Sequence, residues 1–340
     1  MRRFYEGRRT LVTGGLGFIG SNLAIRLLDL GASVLVVDSL IPETGANLFN
    51  LESVQDHPRL SIRTVDVRDV LAMQRLVRGQ SVIFNLAGQV SHIDSMQDPF
   101  TDLEINCRSQ LALLEACRHN APEAKVLFAS TRQIYGRVAE ELLPVDERQP
   151  PNPVDVNGIN KLAGERYHVL YNNVYGIRTS VLRLTNTYGP RMLVKNNRQT
   201  AIGWLIRQAM DGEEITVFGD GAQLRDFTYV EDAVDAFLMA GASDAANGQV
   251  FNVGASEPIS LREVTELLLE IAGTGSYRLV PFPPERKAID IGSIWVDDRK
   301  LRRVLKWRPK VDLRMGLEQT IAFYRANRTE YWATPVPAVV

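Results

Sequence analysis

A glycine-rich turn, Gly14-Gly15-Leu16-Gly17-Phe18-Ile19-Gly20, follows the apolar run Thr10–Thr13 and leads directly into a helical pattern. The spacing of Gly14, Gly17 and Gly20 keeps a strand-to-helix turn tight, lets the backbone approach a pyrophosphate and packs the helix closely on the sheet. A helix opening at Phe18 and Ile19 adds unpaired N–H groups and partial positive charge at the same point. Many such turns need glycine for structural reasons alone, so the turn gains its meaning from Asp38. That residue ends the next apolar run, near the spacing of about 20 residues at which a carboxylate accepts hydrogen bonds from adenosine ribose hydroxyls. Its charge repels a 2′-phosphate, so the pattern selects NAD over NADP. Asp66 and Val67 follow a third apolar run, where Asp66 suits the edge of an adenine ring. Leu86, Ala87 and Gly88 follow a fourth and form a floor beside the cofactor.

These residues need a frame that brings several strand ends together. Strands are predicted at Thr10–Thr13, Ser33–Val37, Leu60–Val65, Ser81–Asn85, Lys125–Ser130 and Thr179–Arg183. Helices are predicted between them at Ile19–Leu30, Val70–Arg78, Phe100–His119 and Asn157–Val174. Such alternation predicts an α/β fold: a Rossmann-type, doubly wound parallel sheet with helices on both faces. After Tyr188-Gly189-Pro190 the pattern changes to a smaller α+β domain. Beyond that point helices are predicted at Ala201–Met210, Glu231–Ala240 and Leu313–Arg325, and strands at Ile215–Phe218 and Asp226–Val230. The expected division is an NAD-binding domain over 1–185 and about 226–254, a substrate domain over about 186–225 and 255–330, and a tail at 331–340.

Composition narrows the partners. The 340 residues carry a net charge of −1, so no nucleic-acid footprint or basic membrane face is expected. No apolar run reaches the roughly 18 residues of a membrane span. Cys107 and Cys117 are too few for a disulfide framework and read as reduced, packed thiols of a cytoplasmic protein. No metal site is expected.

Further motifs carry a resemblance that runs from about residue 8 to residue 328. They are Ser130-Thr131-x-x-Ile-Tyr-Gly, Lys161, Leu182-Arg-Leu-Thr-Asn-x-Tyr-Gly-Pro-Arg191, Gly219-Asp-Gly-x-Gln-Leu-Arg-Asp226 and Val230-Glu-Asp232. With the glycine turn, they resemble the extended short-chain dehydrogenase/reductase family of nucleotide-sugar epimerases and dehydratases. The resemblance implies transient oxidation of a sugar carbon by bound NAD. It makes Thr131 the hydroxyl donor to the sugar oxygen, and Lys161 the ligand of the nicotinamide ribose and a source of positive charge. It places a tyrosine base at position 157, where this chain has Asn157. An amide is no base near neutral pH. Three explanations stand: an inactivating Tyr→Asn variant, a native residue that orients the sugar while another group moves the proton, or a protein that binds without redox chemistry. The substitutes at hand are His92 with Asp94, and Tyr135. The related 4,6-dehydratases carry Thr-Asp-Glu where this chain has Thr131-Arg132-Gln133, which disfavours elimination of water.

The resemblance also implies a nucleotide-diphosphate sugar as substrate. Arg225 and Arg286 would grip the diphosphate with their planar forks. Asn186, Arg191 and the segment Met192–Gln199, with Lys195 and Arg198, would complete that end. Ser91 borders the sugar, and Arg132 suits an anionic sugar substituent. Asp226 and Asp232 are expected to fix a loop and cap a helix. In relatives the helices at Phe100–His119 and Asn157–Val174 form a dimer interface, so a homodimer is expected, with Leu111, Leu114, Leu162, Val169 and Leu170 as candidates. The activity implied is 4-epimerisation; dehydration, dehydrogenation and redox-silent binding are the alternatives.

Overall fold

The structure, a computed structural model, describes residues 1–41, 44–196, 201–254 and 257–332. Its centre is a parallel sheet of seven strands: β1 (Arg9–Thr13), β2 (Ser33–Asp38), β3 (Leu60–Thr64), β4 (Val82–Asn85), β5 (Lys125–Thr131), β6 (Thr179–Leu184) and β7 (Gln249–Val253). Their order is β7-β6-β5-β4-β1-β2-β3. The direction of winding changes between β1 and β4, and the crevice beyond the carboxyl ends there is where open α/β sheets take ligands. Val12 pairs with Val36 on one side and Phe84 on the other, so both flanking strands end level with the glycine turn.

Alternate residues of each strand supply opposite faces. Val12, Phe84 and Leu127 pack in one core with Leu23, Phe237 and Trp307. Leu11, Ile83 and Val126 pack in another with Leu114, Cys117 and Tyr171. The six strands read from the sequence all form. The seventh, β7, was not foreseen as a strand, although the sheet domain was expected to regain the chain there; Phe251 pairs with Leu182 at the sheet edge.

Six helices matter to the site: α1 (Phe18–Asp29), α2 (His92–Gln97), α3 (Pro99–Leu103), α4 (Ser109–Asn120), α5 (Val156–Tyr175) and α6 (Val230–Gly241). The single helix expected over Phe100–His119 is interrupted by a π turn at Glu104–Arg108. Ser109 Oγ and Gln110 Nε2 both donate to the Ile105 carbonyl, at 2.6 and 2.9 Å, and so satisfy backbone that the wider turn frees. Asp155 starts α5 by accepting from Gly158 N at 2.6 Å, and Gly176 ends it with φ 71°. Asp232 does not cap its own helix. Its carboxylate holds Lys310 N and Val311 N, at 2.9 and 3.2 Å.

The smaller domain has its own core of Tyr188, Ile206, Ile215, Leu268, Ile321 and Tyr324. It is built on short strand pairs, such as Glu214–Phe218 beside Ser276–Val280. Among the described residues no helix is long and apolar enough to cross a membrane.

A buried ion pair ties α5 to the sheet. Arg183 Nη2 lies 2.5 Å from Glu165 Oε1, with side-chain exposures of 3% and 0%. Ser130 Oγ donates to Glu165 at 3.1 Å, and Arg183 Nη1 donates to the Tyr135 hydroxyl at 2.7 Å. Removing one partner of such a pair leaves an uncompensated charge in the interior. Glu165→Leu is therefore expected to cost about 3–5 kcal/mol in denaturant unfolding; a loss below about 1 kcal/mol would show that the pair is not structurally required.

Candidate active site

The carboxyl ends of β1, β2, β4, β5 and β6 open into a cleft of about 650 Å³, roofed by the smaller domain. At one end the glycine turn brings two strand ends into contact. Gly14 has φ +67°, and a Cβ there would sit 2.9 Å from Ala87 N, so only glycine fits. Gly20 packs so closely on the Gly14 carbonyl that it too has no room for a side chain. Gly17 starts α1 without a side-chain cap, which leaves the first-turn N–H groups at Phe18, Ile19 and Gly20 available to an anion. Asp38 is buried beside them and accepts from Leu16 N and Leu40 N, both at 3.0 Å. Burial raises its pKa, and the backbone donors oppose the rise.

Asp66, Val67, Leu86, Ala87 and Gly88 also line the cleft. Both Asp66 oxygens are engaged by Arg68, whose Nη2 donates at 2.6 Å. A feature missed in the sequence is Thr13, whose Oγ1 accepts from both Leu86 N and Ala87 N at 3.1 Å and so sets the floor at Leu86–Gly88. An uncapped helix start, a glycine cradle and a buried carboxylate with lone pairs to spare fit the pyrophosphate and ribose of NAD.

The middle of the cleft is lined by Thr131, Asn157 and Lys161. Thr131 Oγ1 accepts from Gln133 N at 3.2 Å, leaving its hydroxyl hydrogen for a ligand oxygen. Lys161 Nζ donates to the Ala129 carbonyl at 3.3 Å, and a Cβ on Gly88 would stand 2.7 Å from it. Burial lowers its pKa to about 8, against the attraction of Asp102. Asn157 is only 2% exposed. Its amide donates to the Gln89 carbonyl at 2.8 Å and to Asp102 Oδ2 at 3.0 Å. Asn106, in the π turn, donates to the same two acceptors at 2.8 and 3.0 Å, and Asn160 donates to Asp102 Oδ1 at 2.8 Å. Asp102, Asn106 and Asn160 were not identified from the sequence.

Tyr135 is no proton carrier. It is fully buried, its hydroxyl donates to Asn252 Oδ1 at 2.7 Å, and burial pushes its pKa up to about 12. His92 lines the cleft, but its partner is Asp155 rather than Asp94, with Nδ1 3.0 Å from Asp155 Oδ2.

At the far end Arg132, Asn186, Arg225 and Arg286 line the cleft. Arg132 Nε is buried without a protein partner, and burial, followed by Arg225, lowers the Arg132 pKa to about 10. Arg225 is already committed: its guanidinium donates to the Leu224 carbonyl at 2.9 Å, to the Gly292 carbonyl, and faces Asp290 at 3.5 Å. Arg286 stacks over Phe218, 5.4 Å from the ring centre. Asn186 Nδ2 donates to the Asp226 carbonyl at 2.9 Å, leaving its oxygen free of that bond.

Two residues expected at the substrate lie off the cleft lining. Arg191 donates to the Asn50 carbonyl at 3.1 Å and to Asn22 Oδ1 at 2.9 Å, so its charge fastens the smaller domain to α1. Ser91 is 3% exposed and caps α2 by accepting from Asp94 N at 3.1 Å. In the segment expected to form the nucleotide floor, Met192 and Val194 belong to the smaller core. Asn197, Arg198 and Gln199 lie outside the described residues, as does the tail from residue 333.

The sheet order, glycine cradle, Asp38 and the Thr131/Lys161 pair define an enzyme of the extended short-chain dehydrogenase/reductase class. The model of the NAD dependent epimerase/dehydratase family matches residues 10–254, and the chain belongs to that family. It is 34% identical over 319 residues to the UDP-glucose 4-epimerase of Mycolicibacterium smegmatis, covering 93% of this chain and 98% of that protein. It is 32% identical over 332 residues to a dTDP-glucose 4,6-dehydratase of Streptomyces griseus, covering 96% and 97%. Among solved structures, the Thermus thermophilus UDP-glucose 4-epimerase complex with NAD superposes with a TM-score of 0.82 at 32% identity, covering 93% of this chain and 99% of that one.

Lys161 gives a pH signature. Its folded pKa lies below that of an exposed lysine, so the site keeps its charge below about pH 8 and loses it above. NAD affinity, measured by calorimetric titration, is expected to fall as pH rises through 8. In Lys161→Met it should be weaker and flat; an equal pH dependence in both proteins would remove Lys161 from the cofactor site.

Proposed function

We propose that this protein is an NAD-dependent nucleotide-sugar 4-epimerase, with NAD along the glycine turn and a nucleotide-diphosphate sugar across the cleft. Bound NAD supplies the hydride acceptor and donor. The observation that carries the proposal is the shared lining of one cleft by the glycine turn and Asp38 at one end, Thr131 and Lys161 in the middle, and Arg132, Arg225 and Arg286 at the other.

Thr131 holds the sugar oxygen by donating its free hydroxyl hydrogen. Lys161 binds the nicotinamide ribose and adds positive charge, which favours a developing alkoxide. Asn157 does not move protons; its amide holds Gln89 and Asp102, so it shapes the pocket wall. Arg132 in place of an acid leaves no carboxylate at residues 132–133 to drive elimination, which favours epimerisation over 4,6-dehydration. Arg286 and Asn186 contact the diphosphate or sugar, and Arg225 fixes the 290–292 loop beside them. The NAD domain comprises 1–185 and about 226–254, and the substrate domain about 186–225 and 255–330.

The working form is a cytoplasmic homodimer. Leu114 is core and Leu162 packs beside Ile134, but Phe100, Ile159, Leu170 and Val174 stand 76%, 54%, 47% and 62% exposed on α3 and α5. An apolar face of this kind suits a second copy of the chain.

One observation favours a second reading, a redox-silent nucleotide-sugar binder: the residue at 157 cannot act as a base, and its NH2 group is held by Gln89 and Asp102. A proton NMR time course with NAD and UDP-, dTDP-, GDP- and CDP-hexoses separates the two. Epimerisation produces a new anomeric signal from one of the sugars. Binding with unchanged spectra across the panel would contradict it, and loss of water or accumulating NADH would point to a dehydratase or a dehydrogenase.

A further inference from the structure

Oxidising a sugar hydroxyl requires a group that takes its proton, and position 157 does not supply one. We propose that His92 is that group, its Nε2 taking and returning the proton while buried Asp155 holds the ring. The proposal rests on the redox function argued above.

Three observations carry it. First, His92 lines the same cleft as Thr131, Asn157 and Lys161. Second, Nδ1 is buried without a hydrogen-bond partner and lies 3.0 Å from Asp155 Oδ2, close enough for charge attraction though not aligned as a hydrogen bond, while the side chain as a whole is 32% exposed. The edge open to the cleft is thus the one opposite Nδ1, which carries Nε2, and no protein group among the described residues binds that atom. Third, the pair is built into the machinery around Thr131. The Asp155 side chain is 0% exposed; its Oδ1 starts α5 at Gly158 N, and its Oδ2 also accepts from Gln133 Nε2 at 2.7 Å. Gln133 N in turn donates to Thr131 Oγ1 at 3.2 Å. Imidazole, carboxylate and Thr131 form one string, anchored two residues before Asn157. Helix α2, which carries His92, is fastened to the same point by Asn157 N donating to Ser95 Oγ at 3.3 Å.

This arrangement suits the task. A carboxylate at Nδ1 keeps the proton on that nitrogen, leaves the Nε2 lone pair outward and stabilises the imidazolium once Nε2 is protonated. Asp155 stays ionised: burial raises its pKa, but His92, Gly158 N and Gln133 outweigh this and hold it below the usual carboxylate range. In the forward step the sugar O–H bond breaks and its proton passes to Nε2. The freed oxygen pair would close the carbonyl, and NAD, when bound, would supply the acceptor for the hydride released from that carbon. The return step delivers the same proton from Nε2.

The test combines a readout on the free protein with kinetics. In protein without NAD or sugar, long-range nitrogen–proton NMR of the imidazoles, assigned with His92→Ala, should show neutral His92 protonated at Nδ1 and bare at Nε2. Asp155→Asn retains a good helix cap, so it should fold normally yet lose that tautomer preference. With NAD and the sugar that the wild type epimerises, His92→Ala should lower kcat on the order of 10²–10⁴-fold with little change in KM. Added imidazole should restore part of that loss. A free protein with His92 protonated at Nε2, or an unimpaired His92→Ala, overturns the proposal. A wild type without turnover on any sugar refutes the redox function and the proposal with it, a pattern distinct from an active His92→Ala.

Discussion

The arrangement of this site depends on one buried charge. Asp102 is 0% exposed, and its carboxylate is held by three amides: Asn106 and Asn157 on one oxygen, Asn160 on the other. An ionised carboxylate in the interior is tolerable only when its lone pairs are filled and a counter-charge is near. The amides fill them and Lys161 supplies the charge. Because the donors come from the π turn and from the first turn of α5, the carboxylate locks those two elements together under the cleft. Asn157 is one of the three amides in this lock. A phenol in its place would remove one of the two amide donors to Asp102 Oδ2 and leave Asn106 as the other.

From that lock the rest of the middle cleft is positioned. Asn106 and Asn157 both hold the Gln89 carbonyl, which fixes the segment between the floor at Gly88 and the helix that starts at His92. Gly88 and Lys161 Nζ are forced into close approach, so the lysine has little freedom in where it presents its charge. The far end differs in kind. Arg225 is tied down by carbonyls and Asp290, whereas Arg132 retains a buried nitrogen without a partner. Arg225 thus has less bonding capacity left for a ligand than Arg132.

Much of the fold was legible in the sequence because its signals are local. The glycine turn, the strand-end Asp38 and the alternation of apolar runs each lie within one βα unit, and the six predicted strands form. Edge strand β7 lacked so clear a mark, since Gln249–Val253 gains its meaning only from pairing with β6. The polar contacts were far less legible. Asp94 was the obvious sequence neighbour of His92, but the helix direction turns the ring toward Asp155, which is brought there by the fold. Arg191 and Ser91 belong to motifs that border ligands, yet one fastens two domains and the other caps a helix. Asp102 gave no sequence signal, because its donors lie on separate turns and meet only when α3, the π turn and α5 pack together.

The central claim is that a sugar carbon is oxidised and reduced again within this site although no tyrosine stands at 157. A nucleotide hexose carrying deuterium on C4 tests it most directly, with the epimer analysed by proton NMR and mass spectrometry. Deuterium retained on C4 of the epimer is the expected result, because the hydrogen removed is returned without exchange with water. An epimer whose C4 deuterium has been replaced by solvent hydrogen, or a bound sugar that never yields an epimer, would contradict it.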